Sequence, residues 1–253
     1  MKVGIIQGRL SKPINGFQET PTEWQLEFDK LAELNLTHIE WVVTSKSFSY
    51  NPVFTENVAN FPISSICADS MVSKFINNQE FIFHNLFPIC EAALKNKIKY
   101  ITVPLLEDSS LEDITKLDQF CRSFTKVCKK YPTLKFSLET ELPIKSIVKL
   151  LNTSSNVTLT YDTGNTTSYG ISHEQYINKF IEKINNVHLK DRTFSGTTVP
   201  PTTGDTDFLS IFNFLKEKDY SKLYTLQTAR EKSGEEKQTI LKHYNTLRRI
   251  YGK

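Results

Sequence analysis

The chain is predicted to fold as a single (β/α)8 TIM barrel, and two observations predict it. Short β-prone runs alternate with longer stretches of helical period eight times in 253 residues, the size and rhythm of such a barrel. That alternation alone would equally allow an open doubly wound sheet. The second observation decides between them. Four successive runs in the second half close on a polar residue: Glu139 in "KFSLETEL", Asp162 in "VTLTYDTGN", His188 in "NNVHLKDR" and Gln227 in "YTLQTAR". A strand buried on both faces reads as a continuous apolar run, so a charged or amide group closing it needs a partner. In a barrel, strands far apart in sequence bring their carboxyl ends to one rim. Oxygen and imidazole groups converging there suit one divalent cation.

The β-prone runs are Val3 to Gln7, His38 to Val42, Ile63 to Ala68, Tyr100 to Val103, Lys135 to Glu139, Val157 to Tyr161, Asn186 to Leu189 and Leu223 to Thr228. After the first, "TPTEWQLEFDKLAELN" has helical period, with Thr22 as N-cap and Trp24, Leu26, Phe28, Leu31 and Leu34 available for burial. "FTENVANF" leaves room only for a stunted second helix. "NNQEFIFHNLFPICEAALKNK" and "SSLEDITKLDQFCRSFTKVCKKY" predict the two longest.

Composition sets the class. With 39% hydrophobic and 23% charged residues, the chain has the make-up of a soluble globular protein, and one domain over 1–253 is expected. A net charge of +3, from 31 basic and 28 acidic residues, gives no electrostatic footprint for nucleic acid. No apolar stretch approaches the roughly 20 residues of a membrane span. Met1 leads straight into "KVGIIQ", too short an apolar run for a secretory signal, so a cytoplasmic location is expected. Cys67, Cys90, Cys121 and Cys128 form no C-x-x-C pair, which favours reduced thiols. Exposed barrel helices allow a homo-oligomer.

Each candidate residue carries a plainer alternative. Asp162 could cap the following backbone in an Asx turn, with Gly164 supplying an unusual turn geometry. Glu141 reads better as a carboxylate in the first turn of the next helix than as a ligand. His188 and Lys190 alternate onto one face of their strand, and Asp191 is a candidate to fix the imidazole tautomer. Gln227 offers a neutral carbonyl oxygen to a metal or a hydrogen bond to a substrate hydroxyl. Arg230 suits a phosphate or carboxylate, or a loop cap. At the other rim positions stand Gln7 and Arg9 after strand one, Glu40 inside strand two and Asp69 after strand three. A buried Glu40 requires a partner, for which Arg9 or a substrate is available.

The motifs "GIIQGRLS", "IEWV", "SICADS", "VPLLEDSS", "LETEL", "YDTGN", "VHLKDR" and "LQTAR", in that order from residue 3 to residue 230, resemble the sugar phosphate isomerase/epimerase group of the xylose isomerase-like TIM barrels. The resemblance implies a metal-dependent isomerase or epimerase acting on a small sugar or sugar phosphate through an enediolate. It puts one divalent ion (manganese, magnesium, cobalt or zinc) on Glu139, Asp162, His188 and Gln227. Glu139 and Lys190 become the catalytic candidates, and Gln7, Arg9, Glu40, Asp69, Asn165, Arg192 and Arg230 the substrate-binding ones. The chain departs from the group twice. Gln227 stands where the group has a second catalytic glutamate, and Asn165 stands where its epimerases carry a histidine. An amide cannot serve as a general base, which counts against two-base epimerisation and leaves open a one-base isomerisation in which Glu139, or a nearby carboxylate such as Glu40 or Asp69, takes the proton. A barrel that binds a polyol without turnover is the alternative. The superfamily's apurinic-site nuclease branch needs more histidines at the rim than His188 alone.

Overall fold

The computed structural model describes residues 1–13 and 21–252. Its strands are β1 (Lys2–Ile6), β2 (Ile39–Val42), β3 (Ile63–Cys67), β4 (Tyr100–Leu105), β5 (Lys135–Thr140), β6 (Val157–Asp162), β7 (Ile184–Leu189), β8 (Asp191–Arg192), β9 (Thr198–Val199) and β10 (Leu223–Leu226). Eight of them form a closed barrel in the order β1-β10-β7-β6-β5-β4-β3-β2, while β8 and β9 make a separate antiparallel ribbon. The expected barrel is therefore the fold, and each predicted strand lies within about two residues of its observed bounds. The helices are α1 (Gln25–Glu33), α2 (Pro52–Thr55), α3 (Gln79–Lys95), α4 (Ile114–Lys130), α5 (Ile144–Leu151), α6 (Thr163–Ser168), α7 (His173–Phe180), α8 (Phe208–Glu217) and α9 (Glu236–Tyr251). By compactness the chain divides into 1–39 with 161–253, and 40–160, the divisions falling inside β2 and β6.

In the first unit β1 runs parallel to β10, and β10 to β7, with Ile5 opposite Leu226 and Thr225 opposite His188. Helix α1 departs from expectation. It begins at Gln25 after Trp24, which makes no side-chain cap, so Thr22 is not the N-cap. Leu26 is exposed and Glu27 is buried in its place. Glu27 accepts from the N–H groups of Gly8 (2.8 Å) and Leu10 (3.1 Å). Those donors lie in the turn after β1, beyond the sheet ladder, and a buried carboxylate satisfies both. Burial pushes the Glu27 carboxyl above its ordinary range, against the pull of these N–H groups.

The second unit holds the two longest helices, each of 17 residues, where the periodicity placed them. Asn78 caps α3 by accepting from Phe81 N–H, and Asp113 caps α4 by accepting from Thr115 and Lys116. The expected stunted helix is α2, of 4 residues. Its cap, Asn51, also accepts from the fully buried Trp41 Nε1 at 2.7 Å. Phe120 stacks on Phe124 (4.9 Å), and Phe124 meets Phe136 of β5 edge-on (5.3 Å).

The strands are not uniformly apolar. One pleat before Glu139, Asp162, His188 and Gln227 stand Ser137, Thr160, Asn186 and Thr225, each on the same face as the residue it precedes. Ser137 and Thr160 hydroxyls are hydrogen-bonded at 2.6 Å. Thr225 Oγ1 donates to Asn186 Oδ1 (3.0 Å) and is hydrogen-bonded to His38 Nε2 (3.2 Å). This polar tier lies directly below the strand ends, and its members are buried.

A half-buried histidine makes stability depend on pH. His173 lies between Tyr161 OH (2.5 Å from Nδ1) and Thr167 Oγ1 (3.0 Å from Nε2). Burial lowers its pKa from 6.5 to about 4, with Asp207 opposing. The folded protein thus binds this proton less readily than the unfolded chain, so the contribution is complete above 6.5 and lost as pH falls toward about 4. Thermal melts across this window are expected to lose stability on acidification, with a shallower loss in His173→Gln.

Among the described residues no helix is long and apolar enough to cross a membrane. Cys67, Cys90 and Cys128 are buried and Cys121 is half-buried.

Candidate active site

Asp162 ends β6 and caps α6, and it fulfils both readings of its motif at once. Oδ1 accepts from Asn165 N–H at 2.8 Å, the local turn. Oδ2 lies 2.9 Å from Lys190 Nζ and 4.0 Å from His188 Nδ1. Burial alone would push this carboxyl up. The charges of Lys190 and His188 and the Asn165 N–H outweigh it and hold the group below the usual carboxylate range.

Glu139 is carried by β5, whose register sets it opposite Thr160 of β6, two residues before Asp162. One ligand atom each from Glu139, Asp162 and His188 lie within 4.8 Å of one another, and all three residues are buried. Gln227 follows β10, and its N–H donates to Leu189 O at 3.1 Å, which sets it beside the end of β7. Its Oε1 is buried with no hydrogen-bond partner among the described residues. Such an orphan is costly unless something else takes it up, and a cation would. Two carboxylates, an imidazole and an amide oxygen are donors that fit a divalent ion.

The end of β7 is held by Thr163, which the sequence reading passed over. Its hydroxyl donates to Lys190 O (2.7 Å) and accepts from Lys190 N–H (3.0 Å). Asn165 Oδ1 accepts from Lys190 Nζ (3.3 Å) and from Arg192 Nη1 (2.9 Å), so the predicted residues Asn165, Lys190 and Arg192 form one cluster with Asp162. Gly164 differs from expectation. It lies inside α6 and is absent from the positive-φ glycines, so its role is space, not turn geometry. An added Cβ would come to 3.0 Å from Lys190 Cγ, Arg192 Cγ and Lys190 O. Asp191 also differs: its oxygens accept from Gly204 N–H (3.0 Å) and Thr206 N–H (3.1 Å), holding the loop after the ribbon. Glu141 lies in the link before α5, whose first turn carries no acidic residue, so a helix-dipole role is not what places it.

The remaining candidates fall at the ends of the earlier strands. Gln7, Arg9 and Glu40 are buried. Burial, then the charge of Arg230, lowers the Arg9 pKa to about 10. Arg230 donates from Nη1 to Ser11 O (2.9 Å) and from Nη2 to Gly8 O, tying the loop after β10 to the turn after β1. The two guanidiniums line one cleft with Lys232 and Ser233. Burial, then the charges of Glu107 and Glu139, push the Asp69 carboxyl up to about 6. Glu107, in the turn after β4 at a φ of 53°, is a further acidic group that the sequence reading did not single out. Its only sequence signal is its place in "LLEDSS", just past a strand end.

The model of the xylose isomerase-like TIM barrel family matches residues 88–250. No curated protein matches the chain in sequence. Among solved structures, the IOLI protein with a zinc atom superposes with a TM-score of 0.75 at 16% identity, covering 99% of each chain. The 3-keto-D-glucoside 4-epimerase from E. coli gives 0.70 at 16% identity, over 98% of this chain and 99% of that one. An L-ribulose 3-epimerase gives 0.73 at 13% identity, over 99% and 94%. At these identities the likeness is one of fold.

Proposed function

The chain belongs to the xylose isomerase-like TIM barrel family, and from that premise we propose that it is a metal-dependent isomerase or epimerase of a small sugar or sugar phosphate. The observation that carries this reading is the buried meeting of Glu139, Asp162 and His188. The zinc atom in the IOLI structure and the sugar epimerases among the structural neighbours support it. In this reading Glu139, Asp162, His188 and the orphaned Gln227 Oε1 hold one divalent ion, drawn from manganese, magnesium, cobalt and zinc. When bound, the ion supplies Lewis-acid polarisation of a substrate carbonyl.

The side chains do the rest. Glu139 takes the proton from the carbon beside the carbonyl, and the Lys190 ammonium stabilises the negative oxygen that develops. Asn165 and Arg192 orient substrate hydroxyls from the other side of Lys190. Gln7, Glu40 and Asp69 bind the polyol, and Arg9 with Arg230 favours an anionic tail. Gln227 cannot return a proton, so the proton leaves and comes back through one carboxylate on one face.

Incubation with candidate ketoses in deuterated solvent tests the reaction. Carbon-bound deuterium is expected in the true substrate, and its absence with a bound, metal-loaded ligand would favour a binding barrel without turnover, the reading that Gln227 motivates. Gln227→Glu supplies the missing second base. It is expected to raise deuterium exchange by about tenfold or more while keeping the ion. An ion affinity unchanged in that variant would place Gln227 away from it.

A further inference from the structure

Lys190 does more in this arrangement than face a substrate. Its Nζ lies 2.9 Å from Asp162 Oδ2, the same oxygen that is 4.0 Å from His188 Nδ1. The other Asp162 oxygen is committed to the Asn165 N–H. Asp162 therefore has one oxygen to offer a cation, and an ammonium already stands against it. The Lys190 backbone is pinned on both sides by the Thr163 hydroxyl, and its stem lies over Gly164, where an added Cβ would come to 3.0 Å from Lys190 Cγ. The second acceptor of Nζ, Asn165 Oδ1 at 3.3 Å, lies outside the group of three ligands.

We propose that Lys190 is a built-in surrogate cation: it neutralises Asp162 while the centre holds no metal and must release Oδ2, falling back on Asn165, before an ion can bind. This rests on the metal reading above and adds a regulation to it. Two positive charges on one buried carboxylate oxygen repel one another, so ion uptake and the Lys190–Asp162 pair compete for Oδ2. The apparent affinity is then the intrinsic affinity reduced by the fraction of molecules in which the pair is open. The same step arms the site. Lys190 leaves its carboxylate only when metal arrives, so a free ammonium faces the substrate only in the loaded protein.

Isothermal titration of the full chain with Mn2+ and Zn2+ at neutral pH tests this, with Lys190→Met, Lys190→Gln and His188→Ala alongside. Wild type is expected to take one ion, and Lys190→Met to take it about tenfold more tightly, because nothing competes for Oδ2. Lys190→Gln, which keeps a polar head without the charge, is expected to tighten binding similarly and serves where the methionine variant folds poorly. Circular dichroism confirms the fold of each. Unchanged or weaker affinity in both variants, with one ion bound by wild type, would overturn the surrogate-cation role and leave the metal centre standing. No ion bound by wild type or by either variant, as in His188→Ala, would instead bring down the metal reading and this inference together.

Discussion

Glu139→Gln is expected to remove both the bound ion and the reaction while leaving the barrel folded. Glutamine keeps the shape, so the loss is one of charge and basicity. In the proposed centre, a neutral amide in place of one of the buried carboxylates weakens the grip on a divalent ion by about a hundredfold. Removing the base costs a further factor of about a hundred to ten thousand in proton abstraction. Elemental analysis of purified variant and wild type reads the first effect, and deuterium incorporation into substrate reads the second. A variant that retained one ion per chain and full exchange would remove Glu139 from the centre. In the proposed centre His188→Ala should lose the ion as completely, because it removes the imidazole donor of the three converging groups.

The second large effect is on stability and owes nothing to the proposed chemistry. Gly4 lies in β1 against His38, and a Cβ added there would sit 2.3 Å from His38 Cδ2 and 2.3 Å from His38 O. A side chain can rotate away from such a clash, but the carbonyl cannot, because His38 O accepts the Ile5 N–H at 3.0 Å. Gly4→Ala is therefore expected to destabilise by about 3 kcal/mol, at the upper end of ordinary overpacking. For a chain of this size that lowers Tm by about 6–12 °C. Calorimetry of Gly4→Ala beside Gly4→Ala/His38→Ala separates the two sources of strain. The double variant should recover only the part due to the ring. Full recovery would show that the carbonyl yields.

How far the sequence announces all this depends on the residue. The strands were legible because β-prone runs bounded by turn residues reflect local preference, and closure was legible because four polar strand ends make sense only where strands converge. Asp162 shows why the two readings of a motif need not compete. A carboxylate has two oxygens, and here one caps a helix while the other faces Lys190. Less was visible where the reason lies across the fold. Glu27 falls on the apolar stripe of α1 because distant N–H groups after β1 need an acceptor. Its signal, a carboxylate at helical spacing from Trp24 and Leu31, was present but was not singled out. Gly164 and Asp191 were assigned by neighbours in sequence, whereas Lys190 and Arg192, and Gly204 and Thr206, decide what they do.

The expectation of continuous apolar strands missed the polar tier, although "FSLE", "TLTYD", "NNVH" and "YTLQ" alternate plainly enough. That tier governs which substitutions the protein can tolerate. Ser137 and Thr160 are hydrogen-bonded to one another, whereas Thr225 links Asn186 to His38. Mutating one member strands a buried polar atom, and an alkyl group at Thr225 would strand His38 Nε2 together with Asn186 Oδ1. Inheritance at these positions should consequently be coupled, each polar group retained together with the partner it satisfies.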